Sequence, residues 1–282
     1  REWAIDFAGA HLFHPSTLGN KMNKIEEIIQ QVDEPFFDRV FERIGGNRLA
    51  EVFPELDGKV MLADYLIGKN HVIELKILES EFLENPNRIE REYAALVELK
   101  KHTGKECLDI SDTTLPQQLV NRYLDVKFDQ LQDPIRSAKK QIRNATEALD
   151  IECETTLLLV NKGTQSVSFQ ELFNYADSYL KRKKTGILNL YLLSLNIHYT
   201  VDTKEPLFPT RTSSSNQALK MDFDFISKGI FEEFEATFGP IFTTSKELDT
   251  PTLPMNDGLH FSTDKGTTIT FKKEYPTNQD SQ

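Results

Sequence analysis

The stretch KVMLADYLIGKNHVIELKIL, residues 59–78, decides how this protein folds. It contains two apolar runs, 60–67 and 72–78, which are rich in valine, isoleucine, leucine and tyrosine. A short polar segment at 68–70, of sequence Gly-Lys-Asn, separates them. Apolar runs on either side of a glycine-containing turn are typical of two paired strands. The sequence therefore predicts a β-hairpin at the edge of an apolar sheet.

Three charged residues interrupt this apolar stretch. Glu74 and Lys76 alternate with apolar residues in the second run, so both side chains leave the same face of the strand. Asp64 lies inside the first run, where an isolated acid is unfavourable unless it has a partner. Two carboxylates brought together by the hairpin can hold a divalent metal, and a nearby ammonium can meet a phosphate or an attacking water. The alternative is a solvated hairpin, with Glu74 and Lys76 on its wet face and Asp64 in a turn.

Length and composition set the limits of the interpretation. The chain has 282 residues, 39% of them hydrophobic, which is enough for one large domain or a domain with an appendage. Two cysteines, Cys107 and Cys153, indicate no disulfide framework and favour a reducing, cytoplasmic location. No apolar run reaches the roughly 18 residues of a membrane helix, and no signal peptide is visible, although the sequence begins at Arg1 without a methionine. The net charge of −11 argues against a generally basic nucleic-acid coat, while local patches and metal ions can still bind a polyanion.

Helices and strands alternate after the hairpin, which predicts an α/β protein with a mixed central sheet flanked by helices. A stretch at 206–215, rich in proline and serine, is interpreted as a linker. Helices are predicted at 21–45, 89–103, 119–131, 135–149, 169–181 and 217–238, and further strands at 155–160, 187–197 and 267–273.

Asp64, then nine residues, then Glu74, Leu75 and Lys76 on adjacent apolar strands resembles the motif of the PD-(D/E)xK nuclease superfamily, also called restriction-endonuclease-like. The element order also fits over residues 21–200. The resemblance implies a helical segment at 1–50, a nuclease core at 51–203 with an inserted helical stretch, and a C-terminal extension at 204–282 that has no counterpart in the family. One departure is Ala63, which stands where the motif has proline.

The resemblance implies a metal site. Asp64 and Glu74, with the backbone carbonyl of Leu75, would ligate one or two Mg²⁺ ions, for which Mn²⁺ can substitute. The metal would lower the pKa of a bound water and neutralise charge on the scissile phosphate, while Lys76 would orient that water or stabilise the pentacovalent transition state. Without metal, repulsion between the two acids is expected to raise one carboxyl pKa. Members of the superfamily often add an acid from the first helix, for which the candidates are Glu34, Glu42 and Glu51.

A basic arc on the helix predicted at 135–149 is the second candidate site. Its cations could contact several phosphates, and in similar nucleases a polar residue of this helix reaches the active site, which here indicates Lys139 or Gln141. The alternative is an ordinary solvated face. A second basic run at 181–184 follows a helix, where the dipole favours cations in any case. The candidate nucleic-acid-binding residues are Arg136, Lys139, Lys140, Gln141 and Arg143.

The resemblance implies metal-dependent hydrolysis of DNA by an endonuclease, in the setting of restriction or anti-phage defence. An inactive scaffold of the same fold that binds nucleic acid or protein is one alternative, and an RNase is another. A homodimer or a partner subunit remains open, and no membrane association is expected. His11 and His14 lack the further ligands of a zinc site. The sequence contains no P-loop, dinucleotide fingerprint, nucleophile elbow or HExxH motif, which argues against ATP-driven and serine-hydrolase functions.

Overall fold

The structure is a computed structural model. Cys153 packs against the core as a half-buried free thiol, whereas His11, His14, Cys107 and the start of the first predicted helix lie outside the described residues. The structure describes residues 29–56, 58–80, 86–104, 114–164, 167–195, 198–199, 206–207, 210–214, 224–243, 259–262 and 268–271.

The described strands form two sheets. The larger has six strands in the order β1-β2-β3-β4-β5-β8, and the smaller has four in the order β6-β7-β10-β9. In the larger sheet β3, β4 and β5 are parallel, and the other neighbours are antiparallel. The strands are β1 (Gly46–Arg48), β2 (Tyr65–Ile67), β3 (His71–Leu78), β4 (Glu154–Asn161), β5 (Asn189–Ser194), β6 (His198–Tyr199), β7 (Pro206–Leu207), β8 (Thr210–Ser214), β9 (Leu259–Ser262) and β10 (Thr268–Phe271).

Helices flank the larger sheet, so the prediction of an α/β protein with a mixed sheet is confirmed. None of the helices in the described part of the chain is both long and apolar enough to span a membrane. The helices are α1 (Glu34–Arg43), α2 (Leu49–Val52), α3 (Pro86–Thr103), α4 (Gln117–Lys127), α5 (Asp129–Leu149), α6 (Phe169–Arg182) and α7 (Asp224–Thr243).

Local sequence signals explain where the flanking helices begin and end. The Asp33 side chain caps α1 by accepting a hydrogen bond from the backbone N–H of Phe36 at 3.1 Å. Gly45, with φ of +77°, ends the helix in the left-handed region that suits glycine. Ser168 and Glu171 form a reciprocal capping box at the start of α6.

Two apolar cores lie on opposite faces of the larger sheet. Alternate residues of β3 point to opposite faces, so Val72 and Leu78 join the core under α5 and α6, while Ile73 and Leu75 join the core under α1 and α7. Glu74 shares the face of Val72 and is therefore directed toward α5. The α7 core is rich in phenylalanine, with Phe36, Phe37, Phe41, Phe234 and Phe238 buried in it.

Three predictions from the sequence are wrong in detail. The first strand of the hairpin covers only Tyr65–Ile67, and the preceding apolar residues form a loop. The predicted helix at 119–131 is broken at Phe128. Helix α5 begins before Pro134, whereas the sequence predicted its start after that residue. The helix tolerates Pro134 because a proline there removes only one backbone N–H donor. The stretch interpreted as a linker contains β8, which pairs with β5 at the edge of the sheet. A short polar edge strand carries no hydrophobic periodicity and so gives no signal in the sequence.

Candidate active site

The hairpin brings Asp64 next to β3. Pairing of β2 with β3 begins at Tyr65 opposite Ile73, so the same register extended by one residue sets Asp64 opposite Glu74. Because β2 begins only at Tyr65, the backbone N–H of Leu75 has no strand partner on this side. It donates instead to Asp64 Oδ2 at 2.8 Å. The Asp64 carboxylate is thereby fixed against the strand that carries Glu74 and Lys76.

Glu74 is a fully buried carboxylate that is only half satisfied. Its side chain has no solvent exposure, and the ammonium of Lys76 contacts its Oε1 atom. Its Oε2 atom has no hydrogen-bond partner within the described residues. Burial, followed by repulsion from Asp64, raises the pKa of Glu74 to about 8. Burial is also the largest cause of the raised pKa of Asp64.

Gln141 of α5 connects the helix to both halves of the site. Its Oε1 atom accepts a hydrogen bond from Lys76 Nζ at 3.0 Å and another from Ser137 Oγ at 2.8 Å. Its Nε2 atom donates to the carbonyl of Leu62 at 3.2 Å, in the loop that leads to Asp64. Asn144, one turn further along α5, donates to the carbonyl of Met61 at 2.8 Å. The helix therefore holds both the Lys76 ammonium and the loop before Asp64 in place.

A cleft of about 300 Å³ opens at Asp64, whereas Glu74, Leu75 and Lys76 do not line it. Asp64 and Gln141 line it on the inside, and Arg48 and Lys59 contribute positive charge to its wall. The remaining wall is the loop at 58–63, where Met61 is exposed. A cleft of this size admits a small group such as a phosphate or a hydrated metal ion together with part of a substrate.

Arg48 is a residue of this cleft that the sequence analysis missed. Its Nε and Nη2 atoms donate to the two carboxylate oxygens of Asp38, at 2.6 and 2.7 Å. The hydroxyl of Tyr65 donates to the same carboxylate at 2.8 Å. Burial on its own would raise the pKa of Asp38. The hydrogen bonds from Arg48 and Tyr65 outweigh burial, so the pKa lies below its ordinary value. A lone arginine after Gly45, Gly46 and Asn47 carries no motif, so nothing in the sequence singled it out.

The first-helix acids do not complete a metal-binding group. Glu34 is exposed and lies 3.7 Å from Arg48, and it affects Asp64 only as a distant charge that raises its pKa. Glu42 and Glu51 are exposed and line no part of the cleft. Among the described residues, no group of three histidine, cysteine or acidic side chains could hold a metal ion. The protein oxygens available for a cation are therefore those of Asp64 and Glu74. The Leu75 carbonyl can add a third, because the N–H and C=O of a strand residue point to the same side.

The predicted basic arc of α5 faces solvent. Arg136 pairs with Asp133, and Arg143 lies 3.7 Å from Glu147, so half of the arc is neutralised along the helix itself. Lys139 Nζ donates to the carbonyl of Lys184 at 3.4 Å, which brings the two basic runs together. Lys140 is exposed. Of the five predicted residues, Gln141 is the one that contacts Lys76 and the loop before Asp64.

Comparison with known proteins gives no matching family model, no matching curated protein and no matching solved structure.

Proposed function

We propose that this protein is a metal-dependent nuclease that hydrolyses phosphodiester bonds of DNA, with a site of the PD-(D/E)xK type. One observation carries the proposal: Glu74 is fully buried beside Asp64 and leaves one carboxylate oxygen without a partner in the described part of the chain. Buried polar groups are almost always paired, so an unpaired one calls for an explanation. A bound cation supplies that explanation, and in its absence the proton that Glu74 retains up to about pH 8 supplies it by hydrogen bonding toward Asp64.

The donor set fits a hard divalent cation. Asp64 and Glu74 each use one oxygen on a partner in the protein, namely the Leu75 N–H and the Lys76 ammonium. Their other oxygens, together with the Leu75 carbonyl, would hold Mg²⁺ or Mn²⁺, which prefer oxygen ligands and keep several waters. When bound, such an ion supplies a water of lowered pKa and offsets negative charge on the phosphate.

The residues around the carboxyl pair have roles that follow from their contacts. Lys76 presents a positive charge that can hydrogen-bond a phosphate oxygen or an attacking water. Gln141 holds the Lys76 ammonium from the other side and so limits its movement. The loop at 61–62, tied to α5 by Gln141 and Asn144, fixes the position of Asp64 at the cleft. The cleft gives a substrate access to Asp64 and Gln141, which line it. The family resemblance further suggests a setting in restriction or anti-phage defence.

A second candidate function is a non-catalytic scaffold that binds nucleic acid or protein. The observation in its favour is the direct contact between Lys76 and Glu74, combined with the lack of a third acidic ligand among the described residues. In this case the two residues would form a buried ion pair that serves the fold alone. Such a pair gives no role to the second acid, Asp64, that lies beside Glu74 and lines the cleft, which is why we favour the nuclease.

Cleavage assays on plasmid DNA, linear DNA and labelled RNA, with Mg²⁺ or Mn²⁺, test the proposal. The variants are Asp64→Ala and Lys76→Ala, and the matched controls are Asp133→Ala and Lys69→Ala, which remove the same charges from exposed positions outside the cleft. We expect metal-dependent cleavage of DNA that both cleft variants abolish and both controls retain. Cleavage that survives in the cleft variants contradicts the proposal, and preferential cleavage of RNA assigns the site to an RNase. Folded protein that cuts neither substrate favours the scaffold.

A further inference from the structure

Arg48 is a positively charged residue held in a fixed position on the wall of the cleft. The carboxylate of Asp38 accepts two hydrogen bonds from its guanidinium, at 2.6 and 2.7 Å. The ring of Tyr65 lies beneath it, with 5.6 Å between the guanidinium carbon and the ring centre. A guanidinium fixed in this way loses little conformational freedom when it binds a ligand. Lys59, on the same wall, is exposed, so its side chain can adopt many conformations.

The two hydrogen bonds to Asp38 leave part of the guanidinium available to bind a ligand. A guanidinium carries five N–H donors, and Asp38 uses one on Nε and one on Nη2. The Nη1 atom has no partner within the described residues, and the other neighbour, Glu34, is an exposed side chain 3.7 Å from Nη2. The edge formed by Nη1 and Nη2 can therefore donate to two oxygens of one anion, which is the geometry that suits phosphate.

The charges around the cleft divide it into two parts. Asp64, with the buried Glu74 opposite it in the strand register, forms an acidic part, and Arg48 and Lys59 form a basic wall. A phosphodiester backbone carries one negative charge per nucleotide, so it is repelled by the first part and attracted by the second unless a cation covers the carboxylates. If Arg48 served only to pair with Asp38, its guanidinium would not need to line a cleft.

We propose that Arg48 binds a backbone phosphate of the nucleic-acid substrate at the cleft, next to the phosphate held over the carboxyl pair. This inference rests on the proposed nuclease function, which it extends by naming a residue that positions the substrate. Because the contact is with the backbone, it adds affinity without selecting a sequence.

Fluorescence anisotropy with a short labelled DNA strand tests this role without cleavage. Binding is measured over a range of salt concentrations, once with EDTA and once with Ca²⁺. The variants are Arg48→Gln and Arg48→Lys, and the control is Arg122→Gln, which removes an arginine from an exposed ion pair with Glu98 that lies outside the cleft. Thermal melting of each protein checks that it is folded.

We expect Arg48→Gln to weaken binding by about tenfold and to reduce the slope of log affinity against log salt by roughly 0.7, the value for one phosphate contact on a single strand. Arg48→Lys keeps the charge and is expected to keep most of the slope while losing affinity, because a lysine cannot form the two-pronged contact. The control is expected to match the wild type. The lysine variant remains informative if the glutamine variant does not fold.

Suppose that Arg48→Gln keeps the wild-type affinity and salt slope, while cleavage by the protein depends on Asp64. This result would overturn the role of Arg48 and leave the nuclease function standing. Arg48-dependent binding in a protein that never cleaves DNA supports the role of Arg48 and removes the nuclease function. A wild-type protein that does not bind the strand in either buffer overturns the role of Arg48.

Discussion

Glu74 and Glu233 are both buried glutamates, but they lie on opposite sides of the sheet in opposite surroundings. Glu233, on α7, accepts hydrogen bonds from Arg39 at 2.5 Å and Arg43 at 2.7 Å, so each of its oxygens is paired. Thr237 adds a third bond. Glu74 has Lys76 as its one charged donor, and no donor in the described part of the chain reaches its Oε2 atom, which lies next to the acid Asp64.

The pKa values of the two glutamates follow from this difference. Burial acts to raise the pKa of both carboxyls. At Glu233 the hydrogen bonds from the two arginines outweigh burial, and the pKa falls below its ordinary value. At Glu74 burial and the nearby Asp64 outweigh Lys76, and the pKa rises to about 8. A fully paired glutamate serves the fold by tying α7 to α1, whereas an incompletely paired one next to a second acid is suited to binding a cation.

Isosteric substitution of the two glutamates is expected to give the largest contrast. Glu74→Gln removes a negative charge from the proposed metal site, so we expect cleavage to fall by a thousandfold or more, on the order of the loss of a major catalytic group. Glu233→Gln lies outside the cleft and is expected to retain cleavage within about threefold. Rates measured under single-turnover conditions with Mg²⁺ test both. Equal losses in the two variants would show that Glu74 acts through stability.

The pH dependence of stability separates the glutamates next. Glu74 loses its proton near pH 4.5 in the unfolded chain and at about pH 8 in the metal-free folded protein. The folded state therefore binds more protons in this range, and stability must fall as the pH rises toward 8. His71 acts in the opposite direction below its ordinary pKa of 6.5, because burial lowers its folded pKa to about 4. The window from pH 6.5 to 8 therefore isolates the carboxyl pair.

Over that window we expect the metal-free wild type to lose about 2 kcal/mol of unfolding free energy. Glu74→Gln should abolish most of this loss, and saturating Mg²⁺ should restore stability to the wild type at pH 8 but not to the variant. Urea unfolding at fixed pH values measures each quantity. The same pH dependence in Glu74→Gln as in the wild type would place the titrating group elsewhere.

Weakening the contact between α7 and α1 at Glu233 is expected to have a smaller effect on the free energy of unfolding. Glu233→Gln weakens its hydrogen bonds to Arg39 and Arg43, and we expect a loss of about 1 to 2 kcal/mol. The arginines are about half exposed, so solvent screening keeps the loss below that of a fully buried ion pair. Chemical unfolding at neutral pH checks this value. A neutral or stabilising result would contradict the structural role assigned to Glu233.

The basic arc of α5 is expected to give the smallest effect. Lys140→Gln removes an exposed cation, whereas Arg136 and Arg143 are partly neutralised by acids on their own helix. We expect DNA affinity to fall by about two- to threefold, with a small decrease in salt dependence. Anisotropy titrations of Lys140→Gln beside Arg48→Gln measure the difference. A larger loss in Lys140→Gln would move the main DNA contact from the cleft to α5.

Much of the site could be predicted because its residues are close in sequence. The apolar runs on either side of Gly68 fix a hairpin, and the hairpin register then sets Asp64 against Glu74. Gln141 was one of two candidates on its helix. It shares the inward face with Ala138, Ile142 and Ala145, while Lys139 points to solvent.

The remaining features depend on contacts between distant segments. The pairing of Arg48 with Asp38 requires α1 to pack beside β1, and no local pattern encodes that packing. The pairing of Glu233 with Arg39 spans most of the chain. Strand β8 joins the sheet through backbone hydrogen bonds to β5, which any polar sequence can make. In each case the deciding information is three-dimensional.

Titration of the protein with Mn²⁺, followed by electron paramagnetic resonance, tests the central claim most directly. The claim is that the half-paired Glu74 and Asp64 form a cation site, so the wild type should bind Mn²⁺, and Mg²⁺ should displace it. Binding should be lost in Glu74→Gln and Asp64→Asn and retained in Glu233→Gln. Wild-type Mn²⁺ binding in both cleft variants, or no binding by folded wild-type protein, would contradict the claim.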